Sequence, residues 1–129
     1  MARVLVVDDN PVNLRLVTML LEQEGYVVDN AADAELAMGL LAHTVPDLIL
    51  MDIALPGMDG LTLTRKLKAD PRFKSIPTIA LTAFAMKGDD QKAYQAGCDD
   101  YITKPIDTRQ FLRQIARWLS SRVGSEGAD

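Results

Sequence analysis

Short apolar runs alternate along the whole chain with longer stretches of helical spacing. The runs are Val4 to Val7, Tyr26 to Val28, Leu48 to Met51, Ile79 to Leu81 and the shorter Tyr101 to Ile102. Each has a length that suits a strand. The first helical stretch spans 11–24, where Leu14, Val17 and Leu21 share a face that Leu16 and Leu20 widen. Asn10 suits its N-cap, Pro11 stands where a missing N–H costs nothing, and Gly25 suits the left-handed residue just past its end.

A second helix is expected over 32–43 around Ala34, Ala37, Met38 and Leu41, and a third over about 60–69 with Leu61, Leu63 and Leu67, stopped by Pro71. The fourth, about 87–96, offers few apolar anchors beyond Ala93, Tyr94 and Ala96, so it should be the least firmly packed. The last begins at Asp107, with Gln110 completing a capping box, and buries Phe111, Leu112, Ile115 and Leu119. One domain over 1–122 and a disordered tail over 123–129 are expected.

Strands alternating with helices predict an α/β fold, a five-stranded parallel sheet covered on both faces. The most continuously apolar strands, the first, third and fourth, should be central, which the flavodoxin-like order 2-1-3-4-5 satisfies. Ligands of such sheets bind beyond the carboxyl ends of the strands, where the winding reverses. Asp8 and Asp9 wait there after the first strand, Asp52 after the third, Thr82 after the fourth and Lys104 after the fifth.

Taken singly these residues have ordinary readings. Asp8 or Asp9 could cap a helix, Asp52 could belong to a turn, Thr82 could be a strand-end β-former, and Lys104 could be a solvated charge. Three acids at adjacent strand ends change the balance, because clustered carboxylates repel and need a cation. An all-oxygen donor set suits Mg2+, with Mn2+ as the alternative, and the lack of a Cys/His cluster argues against zinc. Asp52 can also act as a nucleophile toward phosphorus, with positive charge from the metal and Lys104 and a hydrogen bond from Thr82.

Composition removes several other classes. The 129 residues carry 14 basic and 18 acidic side chains, a net charge of −4, with no basic block to engage nucleic acid. Cys98 is the only cysteine, so no intramolecular disulfide can form. The apolar run in "MARVLVVDD" is too short for a signal peptide or a membrane span, and a cytoplasmic location is expected. His43, the only histidine, should interact with the last carbonyls of its helix, Asp29 and Asn30 end an edge strand away from the crevice, and Asp99 and Asp100 read as solvated.

The stretches "VLVVDDN", "DLILMDIALPGMDG", "IALTA" and "YITKP", in this order, resemble the signature segments of bacterial two-component response-regulator receiver domains over about residues 3–119. The run "ALTAFAMKGDD" and the lack of an output domain are similar to single-domain regulators of the DivK type, and to receivers fused to hybrid kinases. The resemblance implies phosphorylation of Asp52 by a phosphohistidine of a histidine kinase or phosphotransfer protein, and Mg2+ on Asp9, Asp52 and the Ala54 backbone carbonyl, with Asp8 acting mainly through water. It implies phosphoryl contacts from Thr82 and Lys104, a cis bond before Pro105, and a switch joining Thr82 to Tyr101. The surface of the fourth helix, fifth strand and fifth helix would then signal to a downstream effector protein. Such a protein is a switch that catalyses only its own phosphorylation and slow dephosphorylation. Ala54 and Phe84 stand where polar residues often tune hydrolysis, so a long-lived phosphoryl group is expected.

Three rivals meet this reading. A haloacid-dehalogenase-like phosphatase would need a second acid at position 54, where the chain has Ala54. A flavodoxin-like cofactor binder would need a phosphate loop after the first strand, where "DDNPVN" is acidic. A receiver that docks without being phosphorylated is the third, although the groups needed for phosphorylation are present.

Overall fold

The computed structural model describes residues 2–53, 59–82, 89–103 and 106–127, with the side chains of 89–90 and 121–127 left aside. Strands β1 (Arg3–Val7), β2 (Val27–Ala31), β3 (Leu48–Asp52), β4 (Thr78–Thr82) and β5 (Asp100–Thr103) alternate with helices α1 (Pro11–Gln23), α2 (Ala34–Leu41), α3 (Gly60–Lys68), α4 (Asp89–Ala96) and α5 (Thr108–Gly127). All strand pairs are parallel and the order is β2-β1-β3-β4-β5, as the apolar runs predict. β3 and β4 are buried along their whole length, as central strands covered on both faces must be.

The two-residue strand period divides the core. Val4, Val6, Leu48, Leu50, Ile79 and Leu81 pack against α1 and α5 through Val17, Leu21, Phe111 and Ile115. Leu5, Val7, Ile49 and Met51 pack on the other face against α2 and α3 through Ala37, Leu41, Leu63 and Leu67. α4 closes a smaller cluster, in which Ala93 meets Ala80 and Cys98.

Caps set the helix starts. Asn10 accepts the N–H groups of Val12 and Asn13, Asp33 that of Leu36, Asp59 that of Thr62 and Asp107 that of Gln110. Gly25 takes the left-handed conformation expected after α1, with φ 89°.

Several local expectations change. β2 runs on through Asp29 and Asn30 to Ala31, because Leu5, Val6 and Val7 supply pairing partners and Arg3 holds Asp29 at 2.8 Å. Met38 and Tyr94 are exposed, because Ala37 and Leu41 fill the inner face of α2, and Ala93 and Ala96 that of α4. Asp99 and Asp100 are not simply solvated: Asp99 accepts from Lys68 and the Thr78 N–H, and Asp100 from Trp118 and Gln114. Helix α5 runs as far as Gly127, well past Leu119, its last side chain described as buried. Nothing in that segment forbids helix, since glycine is only a weak breaker. Among the described residues, no helix is long and apolar enough to cross a membrane.

Candidate functional site

Strand register brings the acids together. Val7 pairs with Met51 between β1 and β3, so the next residues, Asp8 and Asp52, stand side by side at the carboxyl end of the sheet. Both continue the alternation of the face under α1 and α5, after Val6 and Leu50. Carboxylate oxygens of Asp8, Asp9 and Asp52 all lie within 4.8 Å of one another. Asp8 is 0% and Asp52 4% exposed, whereas Asp9 is open to solvent. Two carboxylates about 4 Å apart repel by on the order of 4 kcal/mol at an effective dielectric of 20, and by less where water reaches them.

The first turn of α1 holds Asp8. The Asn10 N–H donates to Oδ1 at 2.9 Å and the Asn13 side-chain amide donates to Oδ2. The Asp8 N–H in turn donates to the Ala31 carbonyl at 3.0 Å, tying the acid to the end of β2. These two donors are neutral, so they orient the charge without cancelling it.

On the other side, α3 stands on Asp52. A Cβ added at Gly60 would lie 2.1 Å from the Asp52 carbonyl oxygen, so only glycine allows the helix to start so close. Thr64, fully buried, donates to the Gly60 carbonyl at 2.8 Å and steadies that turn. The Thr62 N–H, the largest influence on the Asp59 cap, holds its carboxyl below the ordinary carboxylate value.

Asp52 pairs with Leu81 between β3 and β4, which puts buried Thr82 one step further along at the same end. Ala80 pairs with Tyr101, and Tyr101 packs against the cluster of Ala80, Ala93 and Cys98. Thr82 and Tyr101 thus follow Ala80 onto one side of the sheet. Tyr101 also borders a cleft of about 240 Å³ between β5 and α5, lined with Thr103, Gln110, Phe111 and Gln114.

The five residues expected at the crevice divide accordingly. Asp8, Asp9 and Asp52 form one cluster and Thr82 follows the strand partner of Asp52 at the same end of the sheet, while Lys104 lies outside the described residues. Ala54, Phe84 and Pro105, with its expected cis bond, lie outside them as well. Exposed His43 follows α2, and buried Cys98 lies under α4, where loss of solvent raises its thiol pKa. The cluster itself is all carboxylate, a hard donor set that fits Mg2+. Sequence reasoning missed Asn13; its position three residues after a polar cap was the available signal.

Residues 4–116 match the response regulator receiver domain family. The polar-differentiation response regulator DivK of Brucella anthropi is 44% identical over 116 residues, spanning 90% of this chain and 94% of its own length. The receiver domain of the sensor histidine kinase PA1611 from Pseudomonas aeruginosa, solved with magnesium coordinated in its active-site cleft, is 38% identical with a TM-score of 0.85; the match covers 92% of this chain and 98% of that one. The signal receiver domain of a histidine kinase from Syntrophus aciditrophicus is 34% identical with a TM-score of 0.87, covering 94% and 92% of the two chains. Receiver domains bind Mg2+ at an acidic pocket and work as signalling switches with histidine kinases and downstream proteins, and this chain has the matching pocket where its sheet order requires it. With register, pocket and sequence in agreement, the chain belongs to the response regulator receiver family.

Proposed function

We propose that Asp52 is the phosphoacceptor of this receiver, taking a phosphoryl group from the phosphohistidine of a histidine kinase or histidine phosphotransfer protein. The observation that carries the reading is the cluster of Asp8, Asp9 and Asp52 at the ends of β1 and β3. A carboxylate oxygen of Asp52 attacks phosphorus, an acyl phosphate P–O bond forms, and the P–N bond to the imidazole breaks. The donor nitrogen keeps the electron pair and later takes a proton. Asp9, Asp52 and the Ala54 carbonyl would hold Mg2+, or Mn2+ in its place, with Asp8 acting mainly through water; the ion supplies positive charge for the phosphoryl oxygens.

Thr82 donates its hydroxyl to the phosphoryl group and Lys104 balances its charge. Movement of Thr82 toward the new charge opens space for Tyr101, and the α4-β5-α5 surface changes for an effector protein. That surface includes α4, whose anchors described as buried are only Ala93 and Ala96, so a small bias can redistribute it. The bond before Pro105 is cis in this reading. Ala54 and Phe84 carry no polar group to orient an attacking water, so the phosphoryl group should outlast seconds. The working unit is residues 1–122, acting in the cytoplasm as a switch that turns over only its own phosphoryl group.

The test is intact mass after incubation with acetyl phosphate and Mg2+. Wild type should gain one phosphoryl group and Asp52→Asn none. A gain that survives in Asp52→Asn, or no gain in wild type, sinks the assignment.

A further inference from the structure

We propose that Asn13 is a positioning residue for the acidic pocket, its side-chain amide fixing the Asp8 carboxylate in the orientation a divalent cation requires. This rests on the phosphoacceptor reading above and adds a residue to it. Asn13 is the third residue of α1, and a side chain at that place reaches back across the helix start. In a capping box it would meet the backbone of the cap residue. Here the Asn10 side chain satisfies the N–H groups of Val12 at 2.9 Å and Asn13 at 3.1 Å, and the Asn13 amide passes beyond the cap to Asp8 Oδ2.

The consequence is a carboxylate held at both oxygens by one helical turn. Oδ1 takes the Asn10 main-chain N–H at 2.9 Å, which no substitution of a side chain removes directly; Oδ2 takes the Asn13 amide, which a single substitution deletes. Asp8 is fully buried beside Asp9 and Asp52, so the Asn13 amide helps keep its carboxylate turned toward the pocket. A cationic side chain at position 13 would restrain it equally well but would compete with the metal. A neutral amide gives direction while leaving the attraction for a cation intact.

The test is a Mg2+ titration without phosphodonor, followed by NMR of main-chain and side-chain amides, with thermal unfolding in chelator alongside. In wild type the Asn13 side-chain amide signals should shift with the same dissociation constant as the Asp52 main-chain amide. Asn13→Ala should bind Mg2+ about tenfold more weakly, as loss of a group orienting a metal ligand typically does. Its unfolding midpoint in chelator should fall by no more than roughly 10 °C, the cost of one hydrogen bond lost from a buried carboxylate. Binding by Asn13→Ala within about twofold of wild type, or wild-type Asn13 signals that never move, overturns the proposal. So does a variant whose midpoint falls much further, which would assign Asn13 to the fold; if the variant does not fold at all, the wild-type signals decide. Weak Mg2+ binding by Asn13→Ala beside a wild type that binds the ion but takes no phosphate would refute the phosphoacceptor reading and leave Asn13 in its role.

Discussion

Asp99 and the acidic pocket, at opposite ends of the sheet, are two carboxylate sites built differently. At the amino end of β4, Asp99 accepts the Lys68 ammonium and the Thr78 N–H, both at 2.8 Å. Lys68 is further fixed by the Ile76 carbonyl at 2.8 Å, so acid and base are locked to α3 and to the start of β4. At the carboxyl end, Asp8, Asp9 and Asp52 share one pocket, and the donors from α1 that orient Asp8 are neutral. Asp99, which ties α3 to β4, arrives with its own cation in Lys68. Asp8, Asp9 and Asp52 stand close enough to repel one another, and that repulsion favours a metal ion between them.

If that contrast is sound, substitutions at the two ends differ in what they damage. Asp99→Ala should have the largest effect on stability, because it strands the buried start of β4 as well as Lys68. Loss of about 2 kcal/mol is expected in denaturant unfolding, the usual cost of leaving a buried donor unsatisfied. Phosphorylation by acetyl phosphate should reach the wild-type level wherever the variant is folded. A variant as stable as wild type would remove one side of the comparison.

Legibility in the sequence divides along the same line. The strands, their order and the acids at their ends can be read because each is a local signal: an apolar run, its length, and the residue that stops it. Asp99 and Asp100 could not be read, since the partner of Asp99 lies 31 residues away on α3, and those of Asp100 lie 14 and 18 residues away on α5. The close seat of α3 on the Asp52 backbone at Gly60 could not be read either, since it depends on how the helix docks. The course of α5 through Gly127 was hidden for a different reason, because polar residues and two glycines weaken a helix without setting its end.

Asp59 sharpens the comparison, since it stands near the site yet has a structural task. It caps α3 through the Thr62 N–H at 2.7 Å, and that bond lowers its pKa. Asp59→Ala should cost about 1 kcal/mol at neutral pH, a typical value for a lost cap. A folded-state pKa below the unfolded one means the stabilisation is present above the usual carboxylate value and disappears as pH falls through the lower one. Unfolding curves of variant and wild type should therefore converge on acidification. A gap that stayed constant would show that the cap's charge contributes nothing.

The smallest expected effect has the opposite sign. Asp9 is the exposed member of the cluster, so neutralising it relieves repulsion with little loss of packing. In chelator, Asp9→Asn should unfold about 1–2 °C above wild type, because water already screens much of the interaction. With Mg2+ present the order should reverse, since only wild type retains the full donor set and the bound ion stabilises the folded state by mass action. Thermal melts of both proteins, with and without Mg2+, make a four-way comparison in which the crossing of the two orders is the result. An Asp9→Asn protein that is less stable in chelator would mean that Asp9 serves the fold, as Asp99 does, and the division between the two ends of the sheet would fail at its most exposed residue.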